Sequence, residues 1–282
     1  MGLSVCSYTA LVNSTYTKDL NMKTALITGA STGIGAVYAD PLARRGYDLI
    51  LVARDAAKLS ALAARLEGET GRKVDVLRAD LNVTADLRAV EQRLATDPGI
   101  AMLVNNAGVG AVKPLIESTP EELDNMISLN VTALTRLTRA VAPALVARGG
   151  GTIVNISSIV ALAPELLNGT YGGSKAFVLA LTQSLHHELN DKGVQVQAVL
   201  PGAIGTPFWD RAGMPVEHLP SAIVMTPEDL VDAALAGLDQ RELVTLPSLP
   251  DAGDYARMDE ARKALAPNLS HARPAARYLT SA

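Results

Sequence analysis

From Lys23 onward, short apolar runs alternate with longer stretches of helical period, and that alternation restricts the fold more than any single residue does. The short runs are Thr24–Thr28, Asp48–Ala53, Val74–Ala79, Ala101–Asn105, Thr152–Ser157, Val194–Leu200 and Leu243–Leu246. They are rich in Val, Ile and Leu and mostly apolar on both parities, as parallel strands covered on both faces require. The helical stretches fall near Gly35–Arg45, Ala56–Glu69, Thr84–Thr96, Pro120–Arg148 and Tyr171–Asp191. Strands alternating with helices imply right-handed crossovers and a doubly wound parallel α/β sheet of about seven strands.

A chain of 282 residues, 48% hydrophobic, buries a core of that size. With no internal repeat, low-complexity tract or dividing linker, residues 22–282 are expected to form a single domain. Residues 1–21 lack a basic n-region and a continuous apolar core, so they do not read as a secretory signal. They are expected to be a disordered extension that the fold does not need. The net charge of −4 comes with no basic block, which argues against nucleic acid. A lone cysteine, Cys6, excludes an intrachain disulfide and gives no hint of a metal site. No run approaches a membrane span. A cytoplasmic protein with a small-molecule partner is the expectation.

The first crossover reads Thr28-Gly29-Ala30-Ser31-Thr32-Gly33-Ile34-Gly35. A glycine-rich turn between a first strand and a helix lets backbone approach a pyrophosphate, which the helix N-terminus then stabilises. The second strand ends at Arg54-Asp55. In a dinucleotide fold that terminus faces the adenosine ribose, where Arg54 suits a 2′-phosphate and so NADPH over NADH. Asp55 either faces the ribose or caps the next helix. At the end of the third strand, Asp80-Leu81 offers a carboxylate to the adenine amino group or to the following turn. Asn105-Asn106-Ala107-Gly108 leaves the fourth strand, and buried Asn side chains there need fixed hydrogen bonds. They either tie strands together, with a sugar packing on Ala107 and Gly108, or act chemically.

Tyr171 and Lys175 sit four residues apart at the start of an apolar-periodic run, and so share a helix face. A phenol titrates near ~10, and a neighbouring ammonium lowers that value, which would make the pair a proton donor and acceptor near neutral pH. Ser158 follows the fifth strand, thirteen residues earlier. His186 and His187 are a full helix away, so a hydrolase triad does not fit and the hydroxyl reads as a donor to a carbonyl. Asn130 lies in an apolar helical stretch and needs partners, a kinked backbone or an ordered water. Pro41 falls inside a helix-period segment, where a kink or a shortened helix is expected.

Together these residues resemble the short-chain dehydrogenase/reductase family. The TGxxxGxG turn is matched by Thr28, Gly29, Gly33 and Gly35, and the NNAG motif by Asn105–Gly108. The helix Asn corresponds to Asn130, and the Ser with Tyr-x-x-x-Lys to Ser158, Tyr171 and Lys175. The PG-x-x-x-T segment is Pro201-Gly202-Ala203-Ile204-Gly205-Thr206. The resemblance covers residues 23–247 and implies a Rossmann-type fold and hydride transfer between nicotinamide C4 and a carbonyl or alcohol carbon. It further implies that Ser158 holds the carbonyl oxygen, that Tyr171 donates the proton and that Lys175 lowers the Tyr171 pKa and bonds the nicotinamide ribose. Asn130 would position a water, while the backbone near Pro201–Ile204 and the Thr206 hydroxyl would fix the carboxamide. A homodimer or homotetramer is implied as well.

Residues 205–222 read as a substrate-loop insert. Phe208, Trp209 and Met214 point to an apolar pocket and an apolar ketone, aldehyde or diketone, although a lid packing on its own core would look the same. A 3-oxoacyl carrier-protein reductase would need a basic docking patch, for which only Arg136, Arg139 and Arg148 are available. A non-catalytic NADP-binding regulator would be expected to lack one of Asn130, Ser158, Tyr171 or Lys175. After Pro250, a helix at Ala252–Leu265 and a tail complete the chain.

Overall fold

The computed structural model describes residues 23–279. The extension at 1–21 lies outside the described residues. Seven parallel strands form one sheet: β1 (Thr24–Thr28), β2 (Asp48–Ala53), β3 (Val74–Arg78), β4 (Ile100–Asn105), β5 (Gly151–Ile156), β6 (Val194–Val199) and β9 (Val244–Thr245). Their order is β3-β2-β1-β4-β5-β6-β9. The order reverses between β1 and β4, which opens a crevice outside the strand C-termini. A second, two-stranded sheet pairs β7 (Ala203–Ile204) with β8 (Val224–Met225).

Side chains of alternating parity fill the two faces of the sheet. Ala25, Ile27, Leu49, Leu51 and Val104 pack with α1 (Gly33–Arg44), α2 (Ala56–Thr70) and α8 (Pro227–Asp239). Leu26, Ile50, Val52, Leu103 and Val196 pack with α3 (Thr84–Thr96), α5 (Leu134–Ala147) and α6 (Gly169–Leu189). Burial on both faces is what the unbroken apolar runs encode.

Two expectations change. Helix α1 runs through Pro41 to Arg44 and is not shortened. Its face of Tyr38, Ala39, Leu42 and Ala43 is buried, and that packing outweighs the donor lost at Pro41. The stretch Pro120–Arg148 is not one α-helix. It comprises α4 (Pro120–Ile127), a π-helical segment at Ser128–Ala133, and α5. The chain divides into two compact units, one reaching Pro247 and one from Ser248. The second unit holds α9 (Ala252–Ala264), in which no residue is buried, so no apolar stripe ties it to a core of its own.

Candidate active site

The strand ends are tied together before any ligand is considered. Thr28 Oγ1 accepts from the amides of Asn106 and Ala107, both at 3.0 Å, and Asn106 Nδ2 donates to the Thr28 carbonyl at 2.9 Å. Asn105 Nδ2 donates to Asn155 Oδ1 and Thr138 Oγ1 at 2.9 and 3.0 Å. The two asparagines therefore act as ties, and they close the crevice floor at β1, β4 and β5.

Above that floor lies a cavity of about 930 Å³. Gly29, Ser31, Thr32, Gly33 and Ile34 line one part, with Arg54, Asp55, Lys58, Asp80 and Leu81 further along. Ser158, Tyr171, Lys175 and the Pro201–Ile204 segment line the other part, beneath Phe208, Trp209 and Met214. Gly29 and Gly33 have φ of 67° and 59°, a backbone shape that only glycine adopts freely. Thr32, the N-cap of α1, offers its side chain to no helix amide, so the first α1 amides stay available to an anion. Asp55 caps α2 through the Lys58 amide at 3.1 Å, leaving Arg54 as the side chain free to meet a ribose substituent. The Arg54 guanidinium is 66% exposed and stands 3.9 Å from the Asp80 carboxylate, a loose surface pair. Asp80 Oδ1 meanwhile accepts from the Asn82 amide at 3.0 Å, so it caps the turn. These residues fit a dinucleotide.

Tyr171 and Lys175 open α6, where Asn168 Oδ1 caps the Thr170 and Tyr171 amides. Ser158, 7% exposed, donates from its Oγ to the Pro201 carbonyl at 3.4 Å, with the Tyr171 phenol beside it. Burial pushes the Tyr171 phenol up to about 12, and the Ser158 bond opposes that rise. Burial also pulls the Lys175 ammonium down to about 8. Lys175 Nζ donates to the Ile156 carbonyl at 2.9 Å and lies 5.8 Å from the Tyr171 ring centre. The expected lowering of the phenol by Lys175 is thus corrected: desolvation dominates, and the ammonium is directed at a main-chain oxygen.

Asn130 is clamped within the π-helical segment. Its Nδ2 donates to Val109 O and Ser174 Oγ at 2.8 and 3.0 Å, and its Oδ1 accepts from the Val109 amide at 2.9 Å. One amide hydrogen holds the Val109 strap and the other holds Ser174, so neither is the group that positions a water.

The lid helix α7 (Phe208–Ala212) sits over Tyr171. Phe208 packs its ring 5.8 Å from that of Tyr171, and a Cβ on Gly110 would collide with it. Trp209 Nε1 donates to Ile204 O at 2.9 Å, so its indole braces the lid as well as lining the cavity. That bond also occupies the Ile204 carbonyl. Thr206 stands beside Gly33, where an added Cβ would meet its side chain at 3.2 Å.

The short chain dehydrogenase family model matches residues 23–214. The chain belongs to that family. A short-chain dehydrogenase from Sphingobium yanoikuyae in complex with NADPH is 52% identical, with a TM-score of 0.89 over 92% of this chain and 100% of that one. The bulky-bulky ketone specific alcohol dehydrogenase from Comamonas testosteroni is 47% identical, with a TM-score of 0.85 over 92% and 99%. Human 17-beta-hydroxysteroid dehydrogenase type 3 is 37% identical over 64% of this chain and 59% of its own length. A very-long-chain 3-oxoacyl-CoA reductase from Pyrenophora tritici-repentis is 36% identical over 75% and 62%. The chain therefore spans about three-fifths of the length of these curated relatives.

For this short-chain dehydrogenase, the sequence did not reveal the Asn168 cap, Ser174, the Val109–Gly110 strap or the cavity wall of Val160, Leu167 and Ile223. The Asn at 168 directly before a helical run was a readable cap signal. The wall residues carry no local signal, since they meet only through the fold.

Proposed function

We propose that the chain is an NADP(H)-dependent oxidoreductase that reduces a bulky apolar ketone or aldehyde, with the reverse reaction open to it. The convergence of Ser158, Tyr171 and Lys175 beside the uncapped α1 N-terminus, in one cavity, carries this reading. The dinucleotide would supply the hydride. Ser158 holds the carbonyl oxygen, and Tyr171, protonated throughout the neutral range, gives up its proton as negative charge develops there. Lys175 binds the ribose and is the cation nearest the reacting oxygen. Arg54 meets the 2′-phosphate. The Sphingobium neighbour bound to NADPH supports the cofactor, and the neighbour specific for bulky ketones supports the substrate.

The wall around the reacting end consists of Val109, Val160, Leu167, Phe208, Met214, Leu219 and Ile223, which favours apolar bulk. A 3-oxoacyl thioester is the second reading, supported by the names of several relatives. Two of its three candidate docking cations are engaged. Arg136 forms a two-pronged bond with Glu91 at 2.6 and 2.7 Å, and Arg148 donates to the carbonyls of Pro98 and Ile100. The exposed apolar side chains Ile127 on α4 and Phe177 on α6 support a homo-oligomer.

An NADPH-oxidation screen over aryl and steroidal ketones, aldehydes and 3-oxoacyl thioesters tests the proposal. Turnover concentrated in bulky ketones is expected. Turnover confined to thioesters would favour the second reading, and none with any carbonyl would favour a regulator.

A further inference from the structure

Arg211 belongs to the lid helix α7 yet reaches the glycine-rich turn. Its Nη2 donates to Thr32 Oγ1 at 3.2 Å, and its Nε donates to the Pro207 carbonyl at 3.0 Å. Thr32 is the N-cap of the 12-residue helix α1, and its side chain caps no helix amide. A guanidinium is therefore held beside amides that carry the positive end of the helix dipole. On its own that placement is unfavourable. An anion between them reverses the sign, because the amides and the guanidinium then point at the same negative charge. Arg211, Thr32 and Gly33 all line the one cavity.

We propose that Arg211 is a cofactor-binding residue that clamps the diphosphate of the dinucleotide from the lid side, so that cofactor binding steadies the lid. This rests on the NADP(H) reading above. Arg54, beside Asp80 at the other part of the cavity, answers to the 2′-phosphate that only NADPH carries. Arg211 answers to the diphosphate that NADPH and NADH share. Because Arg211 sits on α7, a diphosphate that it grips steadies that helix.

The test is binding, measured by fluorescence titration with NADPH and NADH and by calorimetry with ADP-ribose, which has the diphosphate but no nicotinamide. Arg211→Gln keeps a donor for Thr32 and removes the charge. It is expected to weaken all three ligands about tenfold or more, with Arg211→Lys restoring most of the loss. Hydrogen exchange of residues 205–222 should fall on adding NADPH to the wild type, and fall less in the Gln variant. Wild-type affinity in Arg211→Gln would overturn the proposal, as would a loss confined to NADPH. A wild type that binds neither dinucleotide would instead overturn the NADP(H) reading, and the premise with it.

Discussion

Lys175 Nζ donates to the Ile156 carbonyl at 2.9 Å, at the last residue of β5. That bond holds a buried ammonium at the foot of the cavity, where burial pulls it down from its ordinary value to about 8.

The shift makes stability depend on pH. Between about 8 and the ordinary lysine value, the unfolded chain binds a proton that the folded chain has released. Stability measured against Lys175→Met should therefore rise as pH increases from 8 to 10, by up to about 3 kcal/mol once the titration is complete. The raised phenols of Tyr38 and Tyr171 act in the opposite sense above 10. Urea unfolding of both proteins at pH 7 to 10 checks this. A difference that stays flat or falls across the window would contradict it.

The proposed function makes Arg54 the contact for the 2′-phosphate, with Asp55 occupied as a helix cap. Arg54→Ala should raise the NADPH Kd about tenfold or more, as expected for loss of a charge-assisted phosphate bond, and leave the NADH Kd nearly unchanged. Equal effects on both would remove the basis for an NADP preference.

Phe208 lies against Tyr171 only because residue 110 has no side chain. Gly110→Ala should displace the ring, and Phe208→Ala should remove it. Both should lower kcat/KM for a bulky aryl ketone by about tenfold, the scale of a lost aromatic contact, and affect small ketones less. An unchanged ratio between large and small ketones would show that the ring does not sort substrates.

Tyr38 presents a different kind of test. It is 1% exposed, and its hydroxyl has no hydrogen-bond partner among the described residues. Tyr38→Phe should stabilise the protein by about 1 kcal/mol, because an unpaired buried hydroxyl costs free energy. A lower melting temperature in the variant would mean that the hydroxyl is satisfied in solution.

The sheet was legible because its central strands are buried on both faces, so runs such as Leu49–Val52 carry no polar interruption. The glycine turn and the Tyr171–Lys175 pair were legible because their chemistry fixes a spacing. Other features depend on partners distant in sequence. Asn130 lies in a π-helical segment and is clamped to Val109, 21 residues earlier, which no helical period announces. The strands β7 and β8 are two residues long and exist only by pairing. Pro41 reads as a breaker, yet the buried side chains around it keep α1 intact. The sign of the Tyr171 shift turned on how deeply the phenol is buried, which a nearby lysine in the sequence does not reveal.

Tyr171→Phe removes only the hydroxyl that the account makes the proton donor. Ketone reduction and NADPH affinity should be measured on the same preparation of this variant. Turnover should fall by at least about a thousandfold, within the scale of positioned acid catalysis, with NADPH affinity within a few-fold of wild type. Near-normal turnover in Tyr171→Phe would contradict it.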